Sequence, residues 1–335
     1  MTDSKTALIL GPTGSVGHET AMALARRGWR LRALHRRPQA VSATLPQMEW
    51  IAGDAMSADD VVGAADGVSL ILHGVNPPGY RNWAGLALPM LESSIAAAWV
   101  SGARIVFPGN VYNYGPDAFP LVHETSPQHP RTRKGAIRVE MERRLAEAAG
   151  NGIRTIVLRG GDFFGPHATA SSWFSQALVK PGRALRRVAY PGRPDTGHAW
   201  AYLPDFAETI ACLADREHEL CDFECFHFAG HWFERGIEIA ERIRAVAGRP
   251  DLRIRGFPWP LVVPLSPVVR LFREIAEMRY LWSTPIRLDN AKLVGFLGEE
   301  PHTAIDTALR QTLSALGCLP PRHGAQAGGA AFDSA

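Results

Sequence analysis

Residues Ala7-Leu-Ile-Leu10 form a short apolar, strand-like run that passes directly into Gly11-Pro-Thr-Gly14-Ser-Val-Gly17, then into a helix-like stretch closed by Arg26-Arg27-Gly28. A strand, a glycine-rich turn and a helix in that order restrict the fold more than any other part of the chain. Such a turn brings bare backbone N–H groups up to a pyrophosphate, and the helix N-terminus behind it favours the negative charge. With no ligand the same residues would be a tight turn only. Their position near the N-terminus, between strand and helix, favours a bound dinucleotide. The candidate contacts are Gly11, Thr13, Gly14, Ser15, Val16 and Gly17, spaced Gly-x-x-Gly-x-x-Gly.

In dinucleotide folds an Asp or Glu about 20 residues past the glycines takes the ribose 2′-hydroxyl of NAD. Here no acidic residue lies between Glu19 and Glu49, and the second strand-like run, Arg30–Leu34, ends in His35-Arg36-Arg37-Pro38. Guanidinium groups grip a 2′-phosphate that a carboxylate would repel, so NADP(H) is the expected cofactor. Solvated loop charges are the plainer alternative for Arg36 and Arg37.

The chain has 335 residues, enough for a dinucleotide-binding domain plus a smaller substrate-binding portion. Hydrophobic residues make up 46% and the net charge is +3, which argues against a nucleic-acid binder. Four irregularly spaced cysteines read as reduced thiols, with no metal site. The polar N-terminus and the short apolar run after it do not make a signal peptide, and no apolar run spans a membrane. A cytoplasmic protein with a small-molecule substrate is expected.

Apolar runs and helix-like stretches alternate along the chain. Met48–Ala52, Val68–His73, Arg104–Phe107 and Arg154–Arg159 read as strands. Helices are expected to start at Ser57 and to run over Ala84–Ser101 and Thr132–Ala149. Alternation of this kind predicts an α/β fold: a doubly wound parallel Rossmann sheet, with a smaller C-terminal α+β portion that binds substrate. The expected division is residues 1–165 for the cofactor domain, 166–320 mainly for substrate, and a disordered tail at 321–335. The chain is expected to return to the cofactor domain around 195–230.

The glycine spacing, with Thr13 before the second glycine, resembles the short-chain dehydrogenase/reductase superfamily in its extended, epimerase/dehydratase-like branch. The resemblance covers about Thr6 to Leu316. It implies that Asp54 and Ala55 meet the adenine and that Gly74-Val75-Asn76 pass under the cofactor. It also implies an active site of Ser or Thr plus Tyr-x-x-x-Lys. Here Asn110 stands where Ser or Thr is expected, Lys134 where Tyr is, and Arg138 where Lys is. The chain therefore resembles atypical members with a degraded site. Spacing of i,i+4 still puts Lys134 and Arg138 on one helix face. Arg138 can hold ribose hydroxyls but cannot trade protons. Lys134 is a candidate acid or base, Asn110 a donor to a substrate oxygen, and Tyr112, Tyr114 and Tyr80 candidate substitute acids, although a Tyr beside a strand end more often serves packing. The basic residues of this helix could equally form a solvated face. The segments Leu158–Pro166, Trp200–Ala207 and Ile286–Leu309 are similar to the family's nicotinamide loop, pocket edge and closing helices.

Gly256–Arg273 is apolar but broken by prolines, so neither a long helix nor a central strand can run through it. A pocket wall, a lid or a homodimer contact is one expectation and an irregular core layer the other. The function expected is an NADP(H)-dependent oxidoreductase or epimerase/dehydratase-like enzyme acting on a small carbonyl, hydroxyl or sugar-type substrate. The alternative is a sensor that holds NADP(H) without turnover.

Overall fold

The apolar runs of the N-terminal half form a parallel sheet because both of its faces are covered, which suits strands with no polar side. The structure, a computed structural model, describes residues 5–77, 82–168 and 172–319. Its strands are β1 (Thr6–Leu10), β2 (Arg30–His35), β3 (Glu49–Ala52), β4 (Leu70–His73), β5 (Arg104–Gly109), β6 (Leu121–Val122), β7 (Thr155–Arg159), β8 (Asp162–Phe164), β9 (Arg187–Tyr190), β10 (His198–Tyr202), β11 (Phe223–His227), β12 (His231–Phe233), β13 (Arg253–Gly256) and β14 (Arg287–Leu288). The helices are α1 (Ser15–Arg26), α2 (Ala58–Ala64), α3 (Trp83–Ser101), α4 (Arg133–Gly150), α5 (Leu203–Asp215), α6 (Glu238–Val246), α7 (Trp259–Leu265), α8 (Arg270–Glu277), α9 (Ala291–Leu297) and α10 (Ile305–Ala315).

Seven strands make the main sheet in the order β11-β7-β5-β4-β1-β2-β3, all parallel. The chain winds outward through β2 and β3, then crosses to β4 on the other side of β1. That reversal opens a crevice at the carboxyl ends of β1 and β4, the place where open α/β sheets bind ligands. One face is covered by α1 and α5, the other by α2, α3 and α4. Expected helix starts agree with local chemistry. Ser57 accepts a hydrogen bond from the Asp60 N–H and Thr132 from the Gly135 N–H, each relieving an orphan donor.

The remaining strands form small sheets, β12-β10-β8, β13-β9 and β14-β6. A second core sits among them, built from Phe164, Phe174, Trp200, Tyr202, Trp282, Ile239 and Leu309. Segment α5–β11 belongs to the main sheet. Arg27 on α1 bonds Glu208 and Asp215 of α5, and β11 extends the sheet beside β7. The prolines of 256–273 leave two short helices, α7 and α8, in place of one long one. Among the described residues no helix is long and apolar enough to cross a membrane. Tyr80 and the tail at 321–335 lie outside the described residues.

Candidate functional site

The three glycines of the first turn carry different constraints. Gly11 has φ +84°, and a side chain there would meet the Gly74 carbonyl oxygen at 2.7 Å. A Cβ on Gly17 would fall inside the Gly11 backbone, so helix and turn could not close. Gly14 is different: its backbone is extended (φ −80°), and an added Cβ would touch only the Gly11 carbonyl, at 3.3 Å. Gly11 and Gly17 are thus required by packing. Gly14 sits at the head of α1, where it makes no side-chain cap and the first turn holds no acidic residue. An anion fits that helix head.

The neighbouring strand ends complete the row. Gly74 donates its N–H to the Leu10 carbonyl (2.9 Å), so the loop of Gly74, Val75 and Asn76 lies against the glycine turn. At the end of β2, His35 accepts the Arg37 N–H at 3.1 Å and meets Trp50 edge-on. Arg36 and Arg37 are exposed, and neither pairs with a carboxylate among the described residues. After β3, Asp54 accepts the Met56 N–H at 3.0 Å while its own N–H goes to Asp60. Ala55 follows, half-buried. From the end of β2 to the end of β5 is three strand spacings, about 14 Å. The candidate residues therefore line one edge of the sheet over the length of an extended ligand.

Helix α4 splits its basic residues between two roles. Arg133 and Arg143 are exposed, with Arg144 half-buried, as a solvated face requires. Lys134 and Arg138 are buried. Arg138 donates to the Pro108 carbonyl (3.3 Å) and to Asn76 Oδ1 (3.2 Å), tying the ends of β5 and β4 together. Its guanidinium lies over Trp83 and Phe107, and its Nε is buried without a hydrogen-bond partner. Burial lowers its pKa. Nearby, His73 ends β4 fully buried, with Nδ1 2.8 Å from Ser94 Oγ and Nε2 unpartnered. Burial and then Arg138 push its pKa down to about 3, so it stays neutral.

Lys134 Nζ lies 2.8 Å from Glu274 Oε2 and also donates to the Glu274 carbonyl at 3.3 Å. Glu277 accepts the Arg133 N–H at 2.8 Å. Helix α8 is thus seated on the basic start of α4 through two carboxylates. Between them is a cleft of about 10 Å³, lined by Tyr112, Lys134, Trp173, Gln176, Glu274 and Met278, with room for about one water. The Asn110 side-chain oxygen accepts the Tyr112 N–H (2.9 Å), fixing the turn that presents Tyr112 to Lys134.

Tyr114 takes the packing alternative. Its ring is fully buried, and its hydroxyl bonds His227 Nε2 at 2.9 Å and receives an Arg159 N–H. Since His227 Nδ1 faces the Val122 carbonyl, Nε2 is the acceptor and Tyr114 the donor. Arg159 also makes a bidentate pair with Glu142, both buried. Burial pushes the Tyr114 phenol pKa up, and the ring serves packing and this network. Sequence reasoning missed Glu274 by one position, because the proline-broken segment it singled out stops at Arg273. The i,i+3 pair Glu274 and Glu277, the first acids after Asp251, was the available signal. It also missed His18 and His167, whose rings lie 3.7 Å apart beside Glu19 at the head of α1.

Comparison with solved structures shows the same fold over nearly the whole chain. UDP-glucose 4-epimerase from Brucella ovis in complex with NAD is 16% identical with a TM-score of 0.74, covering 94% of this chain and 99% of that one. UDP-glucose 4-epimerase from Bifidobacterium longum, in complex with NAD+ and UDP, is 14% identical at TM-score 0.72, covering 93% and 98%. A double mutant of the dTDP-glucose 4,6-dehydratase DesIV from Streptomyces venezuelae, with NAD and DAU bound, is 16% identical at TM-score 0.70, covering 92% and 96%. No curated protein matches by sequence. The family model for the NAD dependent epimerase/dehydratase family matches residues 7–222. That span runs from β1, through the glycine turn and α4, to the threshold of β11, and takes in every strand end described above. The chain belongs to the NAD dependent epimerase/dehydratase family.

Proposed function

We propose that the protein is an NADP(H)-dependent oxidoreductase or epimerase/dehydratase-like enzyme acting on a hydroxyl or carbonyl of a sugar-type small molecule. The observation that carries the cofactor reading is the end of β2, where Arg36 and Arg37 are exposed and no acidic residue lies between Glu19 and Glu49. The substrate class is supported by family membership and by structural neighbours named as enzymes of UDP- and dTDP-sugars.

In this reading the turn Gly11–Gly17 holds the pyrophosphate, His35, Arg36 and Arg37 the 2′-phosphate, and Asp54 and Ala55 the adenine. Gly74, Val75 and Asn76 underlie the cofactor, and Arg138 holds its ribose. A bound nicotinamide supplies hydride transfer. Asn110 donates its amide N–H to a substrate oxygen, and Lys134 or Tyr112 moves the proton. Arg138 positions only, because a guanidinium does not trade protons.

Titration of NADPH and NADH against the wild-type protein and Arg36→Ala tests the reading. NADPH is expected to bind more tightly, and the substitution to weaken it about tenfold or more while barely changing NADH. Equal losses for both cofactors would overturn it. A second reading, a sensor that holds NADP(H) without turnover, is favoured by the small size of the cleft at Lys134. Hydride turnover from NADPH against a panel of carbonyl compounds separates the two.

A further inference from the structure

Between Asp251 and Glu274 the chain has no acidic residue, four arginines (253, 255, 270 and 273) and the apolar run Phe257–Val269. Five of the nine large hydrophobic side chains exposed among the described residues fall within this run. They are Leu261 at 58%, Val263 at 37%, Leu265 at 38%, Val268 at 80% and Val269 at 37%. The helix beneath is held from one side. Val262 is buried, and Trp259 donates its indole N–H to the Pro191 carbonyl at 2.6 Å. The opposite side of α7 is bare. Water contact over such an apolar patch is costly and marks an interaction site.

The elements that flank the patch in the chain are basic. In the β13–β9 sheet, Arg253 is directly opposite Arg187, and Arg255 is two residues on, on the same face. All three are exposed, as is Arg273, and none of the four has a carboxylate partner among the described residues. Like charges held side by side repel each other unless an anion lies over them. Arg255 is four residues from Trp259, at most about 14 Å of chain, so the cationic strand runs straight into the apolar helix.

We propose that this face, the exposed side of α7 together with the flanking Arg187, Arg253, Arg255 and Arg273, seats the protein on an anionic lipid bilayer. Apolar side chains enter the headgroup–acyl boundary and guanidinium groups meet lipid phosphates. A folded protein partner fits less well. Between Phe257 and Val269 the one polar side chain is Ser266, and its hydroxyl is turned back to the Val263 carbonyl at 2.8 Å. The patch therefore offers no directional side-chain hydrogen bonds, which a specific protein interface uses throughout its area. A bilayer needs only apolar depth and cationic flanks.

Co-sedimentation of the full chain with phosphatidylcholine vesicles, with and without phosphatidylglycerol, at low and high salt, tests this. Binding is expected to the anionic vesicles, and to weaken with salt. The exposed-site variant Leu261→Ser/Val268→Ser should lose about tenfold or more. Arg253→Gln/Arg255→Gln should lose roughly fivefold per arginine and much of the salt dependence. Trp99→Ser/Val100→Ser, which alters an exposed patch on α3, should bind as the wild type does. No sedimentation of folded protein with anionic vesicles would overturn the proposal. So would undiminished binding by Leu261→Ser/Val268→Ser. A concentration-dependent dimer abolished by that same variant would overturn it too, in favour of a second copy of the chain covering α7. None of these readings uses cofactor or turnover, so they stand apart from the test of the enzyme assignment.

Discussion

Gly14 and Gly17 are three residues apart in one turn, and a methyl group on each has a different consequence. On Gly17 it would collide with the Gly11 backbone, which cannot yield without parting α1 from β1. Gly17→Ala is expected to destabilise the fold by about 1–3 kcal/mol or more, read as a lower urea midpoint. On Gly14 it would press only on the Gly11 carbonyl oxygen, at 3.3 Å, on an extended backbone. Gly14→Ala is expected to cost far less stability than Gly17→Ala and to lose dinucleotide binding, because the methyl occupies the approach to the helix head. Unchanged cofactor affinity in the folded Gly14→Ala protein would reduce the turn to a structural feature. All three glycines look alike in the sequence. What separates them is the position of the Gly11 and Gly74 carbonyls, which spacing does not reveal.

Helices α4 and α8 meet through Lys134 and Glu274, both nearly buried. Removing one member of such a pair leaves the other charged and unpartnered, at a cost of about 3–5 kcal/mol. Lys134→Met is therefore expected to lower stability, and Lys134→Met/Glu274→Met to recover much of the loss. If the two singles simply add, the pair is not coupled. Cofactor affinity should change little in Lys134→Met and fall in Arg138→Ala, because Arg138 reaches the loop of Asn76 and Lys134 does not. If Lys134 moves the proton, its loss should lower turnover by about 10²–10⁴. At this scale the sequence was readable where order is local. Six of the seven main-sheet strands begin or end within two residues of their apolar runs, β11 having had no run assigned, and α4 starts at its Thr132 cap. The α4–α8 contact was not readable, because it joins residues 140 positions apart through a segment with no periodic pattern. Arg159 and Glu142 were each placed on their elements, but their burial as a pair depends on β11 closing the sheet edge over them.

Among the described residues, burial lowers the pKa of His18, His73, His227 and His231, and carries the last three furthest. The pKa values of His73 and His227 fall to about 3, and that of His231 to about 4. In the unfolded chain each titrates near 6.5, so below that pH the unfolded state binds protons that the folded state refuses. Stability is expected to be flat above about pH 6.5 and to fall as pH drops toward the folded-state values, by about 1.4 kcal/mol per pH unit for each histidine. Urea midpoints measured across pH 6.5 to 4.5 check this, and His73→Gln should reduce the slope by one histidine's share. An unchanged slope would put the titration elsewhere. The cleft under α8 sets a limit of another kind, on rates. If substrate meets Lys134 as proposed, a cleft with room for about one water cannot take a sugar ring, and entry would then follow a movement of α8 that parts Glu274 from Lys134. In stopped-flow mixing, the observed rate of substrate capture should then rise with concentration to a ceiling set by the protein alone. Glu274→Gln, which weakens the closing contact, should raise that ceiling and, by enlarging the open fraction, steepen the initial slope as well.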